Sequence, residues 1–166
     1  MSALNFGRLL FLLGCCGLAL SCGHGLVRVP TGAMLPTIPL DSYVAWEKDA
    51  YATKDVKRFD LVMHTLPLDE TSKRRGIKED DRYIFRIIGL GGEQIEIKSG
   101  RVLVNGRKLE EPFEKVESDD DFGPIVIPEN EFFLLGDNRP ESNDSRFWSR
   151  PTIGKERIVG KVVKIF

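Results

Sequence analysis

Residues able to do chemistry gather in three short stretches: Pro30–Thr37 (P-T-G-A-M-L-P-T), Tyr83–Gly89 (Y-I-F-R-I-I-G) and Gly136–Arg146 (G-D-N-R-P-E-S-N-D-S-R). The first and third carry hydroxyls, Thr31 and Ser142, and a hydroxyl attacks a carbonyl only when a base takes its proton. The sequence supplies no such base beside them, and Arg86 cannot serve because its guanidinium stays protonated. Thiol chemistry is excluded from the body of the chain. All three cysteines, Cys15, Cys16 and Cys22, lie in or beside an N-terminal apolar run, leaving no disulfide or Cys-based metal site elsewhere. His24 and His64 are the only histidines and stand far apart, so no metal centre is expected. His64, following Phe59–Met63, reads as a strand-end side chain. No cofactor is expected either: Gly89-Leu90-Gly91-Gly92 follows a strand without opening a helix, which makes it a turn and not a phosphate cradle.

The elements that must position these stretches are mostly strands. Pro30–Thr37 is too rich in Gly and Pro for a helix or a central strand and reads as a shaped loop. Ser42–Lys48 alternates, with Tyr43, Ala45 and Glu47 on one face and Val44 and Trp46 on the other. Phe59–Thr65 is the next strand. Pro67–Arg82 is polar and charged, so it is expected as a solvated loop; Lys73-Arg74-Arg75 within it is interleaved with acids and reads as exposed connection. In Tyr83–Ile88, alternation sets Tyr83, Phe85 and Ile87 against Ile84, Arg86 and Ile88. Gln94–Ile97, Arg101–Val104 and Arg107–Leu109 form a meander through Ser99-Gly100 and Asn105-Gly106, both two-residue hairpin signals. Glu110–Asp121 is acidic and poor in strand formers, so an exposed loop is expected; its S-D-D-D run lacks the ligand spacing of a calcium loop. Ile125–Ile127, Glu131–Leu135 and Arg157–Ile165 complete the strands. With 42% apolar residues in 166 and no long amphipathic helical pattern after residue 30, the chain predicts one mainly β domain of antiparallel sheets. A net charge of −1 excludes nucleic-acid binding through bulk charge.

Taken together and in this order, the three stretches resemble the motifs of the signal peptidase I family, membrane-bound serine endopeptidases that remove signal peptides from exported proteins. The resemblance covers nearly the whole chain and implies that family's β fold. In the family the first motif runs S-x-S-M-x-P-T, its second Ser the nucleophile, and the strand motif has a Lys just before the Arg as general base. By this resemblance the nucleophile position is Ala33 and the base position is Phe85. A methyl has no lone pair to attack with, and a phenyl ring accepts no proton. The resemblance places Thr31 where a hydroxyl often assists the oxyanion hole, and Ser142 where a Ser bonds the lysine amine. Met34 and Pro36 match positions that shape the first loop and pack beneath it. Gly136, Asp137, Asn138, Arg139, Asp144 and Arg146, with Arg86, match the structural motif, Asp144 and Arg146 as a supporting ion pair. A phenyl in place of a buried ammonium removes a desolvation cost and adds roughly 1.5–3 kcal/mol of hydrophobic stabilisation.

Leu9–Leu20 is uncharged, apolar and preceded by Arg8, as in a signal peptide or an N-in membrane anchor. Three readings stay open. A transmembrane helix would have to extend through Ser21–Val27 to approach the ~20 residues a bilayer needs. A lipoprotein signal would place lipid on Cys22 after Ala19-Leu20-Ser21. A plain cleaved signal would release the domain. Because the resembled family is helix-anchored, the expectation is a membrane segment over residues 1–26, in contact with membrane lipid, and a β domain over 27–166 on the extracytoplasmic face. Two function classes follow: an inactive relative that binds an extended peptide or a partner protein, or an active endopeptidase using Thr31 or Ser142 with a non-standard catalytic group.

Overall fold

The computed structural model describes residues 23–166 apart from Leu68, Arg75 and Glu114. The apolar run Leu9–Leu20 and Cys22 lie outside the described residues. Alternating, β-branched segments separated by Gly, Pro and Asp fold into eleven strands: β1 His24–Arg28, β2 Tyr43–Lys48, β3 Leu61–His64, β4 Tyr83–Leu90, β5 Gln94–Lys98, β6 Arg101–Val104, β7 Arg107–Lys108, β8 Phe122–Val126, β9 Glu131–Leu135, β10 Ile153–Gly154 and β11 Ile158–Ile165. Seven of them form one sheet in the order β1-β2-β11-β3-β4-β9-β10, and four form a second in the order β7-β6-β5-β8. Every named strand pair is antiparallel.

Strand alternation divides the interior into two cores. From β4, Phe85 and Ile87 enter the first core and Ile88 the second; from β9, Phe132 and Leu134 enter the first and Phe133 and Leu135 the second. The first core also receives Met34 and Ile38 from the first loop, Val44 from β2 and Val62 from β3. The second lies over the four-stranded sheet, with Ile95, Ile97, Val102 and Ile127. An ion pair bridges the two sheets where β4 leaves the first: Arg58 pairs with Glu93 at 2.5 Å and donates to the Ile88 carbonyl at 2.7 Å. Both meander turns have positive φ at both central residues, 46° and 73° at Ser99-Gly100, 50° and 75° at Asn105-Gly106. That is the mirror-image turn whose twist matches its flanking strands.

Three expectations need correction. His24–Leu26 were placed with the membrane segment, yet they form the start of β1, in register with Glu47, Trp46 and Ala45. Gly25 allows this, because a Cβ there would lie 2.3 Å from the Trp46 indole nitrogen that crosses it. Pro67–Arg82 is not wholly loop: Glu70–Arg74 forms one short helix, α1, with Glu70 at its start paired to Lys73 at 3.0 Å. Glu110–Asp121 is not simply exposed, since Glu111 is buried and the segment is stitched by a bridge between Val116 and Asn138. The alternation that makes a strand visible in sequence is absent from all three.

Gly160 of β11 is a close-packed point in the large sheet: an added Cβ would fall 2.3 Å from the Glu47 carbonyl oxygen and 2.6 Å from the Trp46 ring. At an open site Gly→Ala stabilises by reducing unfolded-state freedom. Here backbone must move, so Gly160→Ala is expected to destabilise by about 1–3 kcal/mol. Urea unfolding followed by Trp46 fluorescence measures it, and unchanged or increased stability would contradict this packing.

Candidate functional site

The first loop leaves β1 at Val29 and returns to β2 at Ser42, closed at its base by Val29 N–H donating to Ser42 O and Asp41 N–H to Val29 O, both at 2.9 Å. Met34 buries its side chain beneath the loop, and Ile38 N–H donates to the Met34 carbonyl at 2.9 Å. Pro36, expected beneath the loop with Met34, is exposed. The crest, Thr31–Ala33, is held from the Gly136–Arg146 stretch: Asn138 N–H donates to Ala33 O and its side-chain amide to Gly32 O, each at 3.0 Å.

Gly136 explains how closely the two stretches meet. A Cβ at that position would lie 2.2 Å from the Ser142 hydroxyl and 2.5 Å from the Ala33 carbonyl oxygen. Ser142 therefore sits beside the Ala33 backbone. Its hydroxyl is buried and has no hydrogen-bond partner among the described residues. Thr31, by contrast, is exposed.

Phe85 is 4% exposed and packs in the first core. Ala33 is partly buried and packs against the same core. Both line a cleft of about 260 Å³ whose other walls are Val27–Thr31, Met34, Met63 and Asp81–Ile84. Apolar side chains make its floor, and Arg28, Asp81 and Arg82 stand around it. On the cleft side the backbone of β4 is only half paired. Leu61–His64 of β3 covers Tyr83–Arg86 on one edge, whereas β9 begins its pairing at Arg86, leaving Tyr83–Phe85 without a strand on the other.

Below the cleft lies a buried polar frame. Arg86 donates to Asp137 through Nε at 2.8 Å and Nη2 at 2.5 Å, and to the Phe59 carbonyl through Nη1 at 3.0 Å. Thr37 donates its hydroxyl proton to the same carboxylate, at 2.5 Å. The guanidinium also lies 3.9 Å from the Phe113 ring centroid. Asp144 accepts from Gly136 N–H at 3.0 Å and from Arg146 Nε at 2.8 Å. Arg146 pairs in addition with Asp120 at 2.6 Å, and buried Arg139 pairs with Glu111.

Sequence reasoning missed Thr37, Glu111, Phe113 and Asp120 as members of this frame. Only Thr37 lay within a motif. The acids of 110–121 could have been suspected from the excess of arginines in Gly136–Arg146, which need carboxylate partners if buried. Among the described residues no group of side chains could hold a metal ion.

Against this geometry, a sequence model described as signal peptidase, peptidase S26, matches residues 4–166. The chain belongs to that signal peptidase family. It is 34% identical over 138 residues to a signal peptidase I of Leptolyngbya laminosa, covering 83% of this chain and 66% of that protein. It is 30% identical over 133 residues to a probable signal peptidase I-2 of Synechocystis sp., covering 80% and 58%. The chain thus spans less than two thirds of the length of these relatives. A crystal structure of a signal peptidase I from Enterococcus faecalis V583 aligns with 67% of this chain and 98% of that one, at 29% identity and a TM-score of 0.49.

In this signal peptidase family member the residue next to the cleft with the most displaced titration is His64. It ends β3, is fully buried, and packs 5.5 Å from both the Phe85 and Trp148 rings and 6.0 Å from Tyr83. Its Nδ1–H donates to Thr65 O at 3.3 Å, and Nε2 has no partner among the described residues. Burial lowers its pKa to about 4, against the opposing pull of the Thr65 carbonyl, so the ring is neutral in the folded protein at pH 7.

Two predictions follow from the frame and the ring. Replacing Asp137 with Ala leaves the Arg86 charge buried and uncompensated, and should cost about 3–5 kcal/mol in chemical denaturation; a loss below about 1 kcal/mol would show that the pair does not hold the site. For His64, the unfolded chain binds a proton below pH 6.5 while the folded chain does not until about pH 4. Its contribution is therefore complete above pH 6.5 and falls by roughly 3 kcal/mol as pH drops to 4. Unfolding free energies measured across that range should decline less steeply in His64→Phe; identical slopes would refute the assignment.

Proposed function

We propose that this signal peptidase family member does not cleave peptides and instead acts as a membrane-tethered, extracytoplasmic domain that binds an extended peptide or a partner protein. The observation that carries the reading is that a methyl and a phenyl, Ala33 and Phe85, meet at one cleft with the dyad positions of the resembled motifs. In a serine peptidase, loss of the nucleophile alone costs on the order of 10⁶ in turnover. Ser142 does not replace it, since its hydroxyl is buried away from solvent. His64 is neutral and could accept a proton in principle, but its free nitrogen is enclosed by aromatic rings.

Binding without cleavage has a physical basis in the unpaired edge of Tyr83–Phe85. An extended peptide laid there would gain main-chain hydrogen bonds from β4 while its alternate side chains entered the apolar cleft. Tethering is supported by the apolar run Leu9–Leu20, whether by a helix or by lipid on Cys22. Among the described residues no helix is long and apolar enough to cross a membrane.

The purified protein is expected to leave a signal-peptide substrate intact and to take up no label from fluorophosphonate or penem-type acylating inhibitors. Stoichiometric acylation at Thr31 or Ser142 would overturn the reading. Ala33→Ser combined with Phe85→Lys is expected to gain measurable cleavage, whereas Ala33→Ser alone is not; cleavage by the single variant would show that Phe85 is no barrier.

A further inference from the structure

The largest apolar exposures in the seven-stranded sheet fall on its β1 edge. Cross-strand register arranges them in two rows. Leu26, Ala45 and Lys164 form one, since Leu26 and Lys164 both pair with Ala45. Arg28, Tyr43 and Phe166 form the other: Arg28 pairs with Tyr43, and Tyr43 and Phe166 exchange two backbone hydrogen bonds, at 3.4 and 2.8 Å. Leu26 is 58% exposed, Tyr43 48% and Phe166 61%, and Leu40, two residues before β2's approach at Ser42, is 55% exposed. Other exposed apolar residues, such as Val126 of β8, belong to the four-stranded sheet.

The cations of this face accompany its rings. Lys164 holds its ammonium 4.6 Å from the Phe166 ring centroid and has no carboxylate partner among the described residues. Arg28 pairs with Asp41 at 2.8 Å, yet both side chains remain more than half exposed. Aromatic and aliphatic groups beside free cations are the composition of a surface that meets lipid tails and phosphates together. A second constraint comes from the chain itself. Four residues separate Leu20, the end of the apolar run, from His24 at the start of β1, a reach of roughly 14 Å at most even when fully extended.

We infer that the outer face of β1, β2 and the end of β11 lies against the headgroup region of the bilayer, with Leu26, Tyr43 and Phe166 inserted and Lys164 and Arg28 at lipid phosphates. The inference rests on the membrane-tethered reading above, because the short link to the apolar run is what brings this face to lipid. It also sets the orientation of the domain. The face that carries the β1 edge would point to the membrane, and the four-stranded sheet away from it.

The test uses the full chain with vesicles of phosphatidylcholine brominated in its acyl chains. Tyr43→Trp, Phe166→Trp and Val126→Trp each add one indole, whose emission is read by difference from the unsubstituted protein containing Trp46 and Trp148. Expected is roughly twofold or greater quenching of the indoles at 43 and 166, and none at 126. Protein that floats with the vesicles but shows no quenching at 43 and 166, or equal quenching at 126, keeps the tether and overturns the surface. Shielding of both indoles from iodide without lipid, growing with protein concentration, would assign the face to a second copy and overturn the inference too. Failure to float with vesicles would overturn the tethered reading together with it.

Discussion

The buried pair of Arg86 and Asp137 is the constraint on which the rest of the site depends. It joins β4 to the turn after β9, and through Thr37 and the Phe59 carbonyl it fixes the end of the first loop and the entry to β3. Two charges out of water are costly, and their attraction offsets that cost only when the remaining hydrogen-bonding capacity is filled. Here it is filled on both sides. Asp137 accepts from Thr37 as well as from Arg86, and the face of the guanidinium is covered by Phe113. Because each partner comes from a different segment, the pair is satisfied only when all the segments are in place.

The acidic segment between β7 and β8 extends the same logic. Glu111 and Asp120 neutralise Arg139 and Arg146, which point into the protein from the turn that carries Ser142. Backbone bonds from Val116 N–H to Asp137 O, at 2.9 Å, and from Arg139 N–H to Val116 O, at 3.1 Å, lay this segment beside the turn. A stretch that is acidic by composition is thus partly interior by position. The arginines are what draw it in.

The strands with clear alternation, β2, β4, β5, β6 and β9, were legible in the sequence because each has one face in a core, which stamps a period of two on the side chains. The hairpin turns were legible from Ser99-Gly100 and Asn105-Gly106 for the same local reason. What escaped was set by distant partners. β1 is short and half-buried, and its Gly25 is explained only by the Trp46 ring across the sheet. The role of Glu111 depends on an arginine 28 residues away, and no local pattern announces such a pair. Similarly, Phe85 was legible as a core aromatic, but the ring cluster of His64, Tyr83 and Trp148 around it required the register of β3 with β4 and the return of the chain after Ser142.

The intact appearance of the Gly136–Arg146 stretch carries little weight as a sign of chemistry. Gly136 has no room for a side chain, Asp137 and Asp144 are ion-paired in the interior, and Arg139 and Arg146 are buried against carboxylates. Folding alone demands those residue types, since removing one member of a buried pair costs several kcal/mol. Ala33 and Phe85 stand under a different demand. Nothing in the surrounding packing needs a hydroxyl or an amine at either place, and hydrocarbon there joins a core that already receives Ile87, Leu134 and Val62. The scaffold therefore keeps its polar frame by its own stability, while the two positions above it are free to give up reactivity and gain burial.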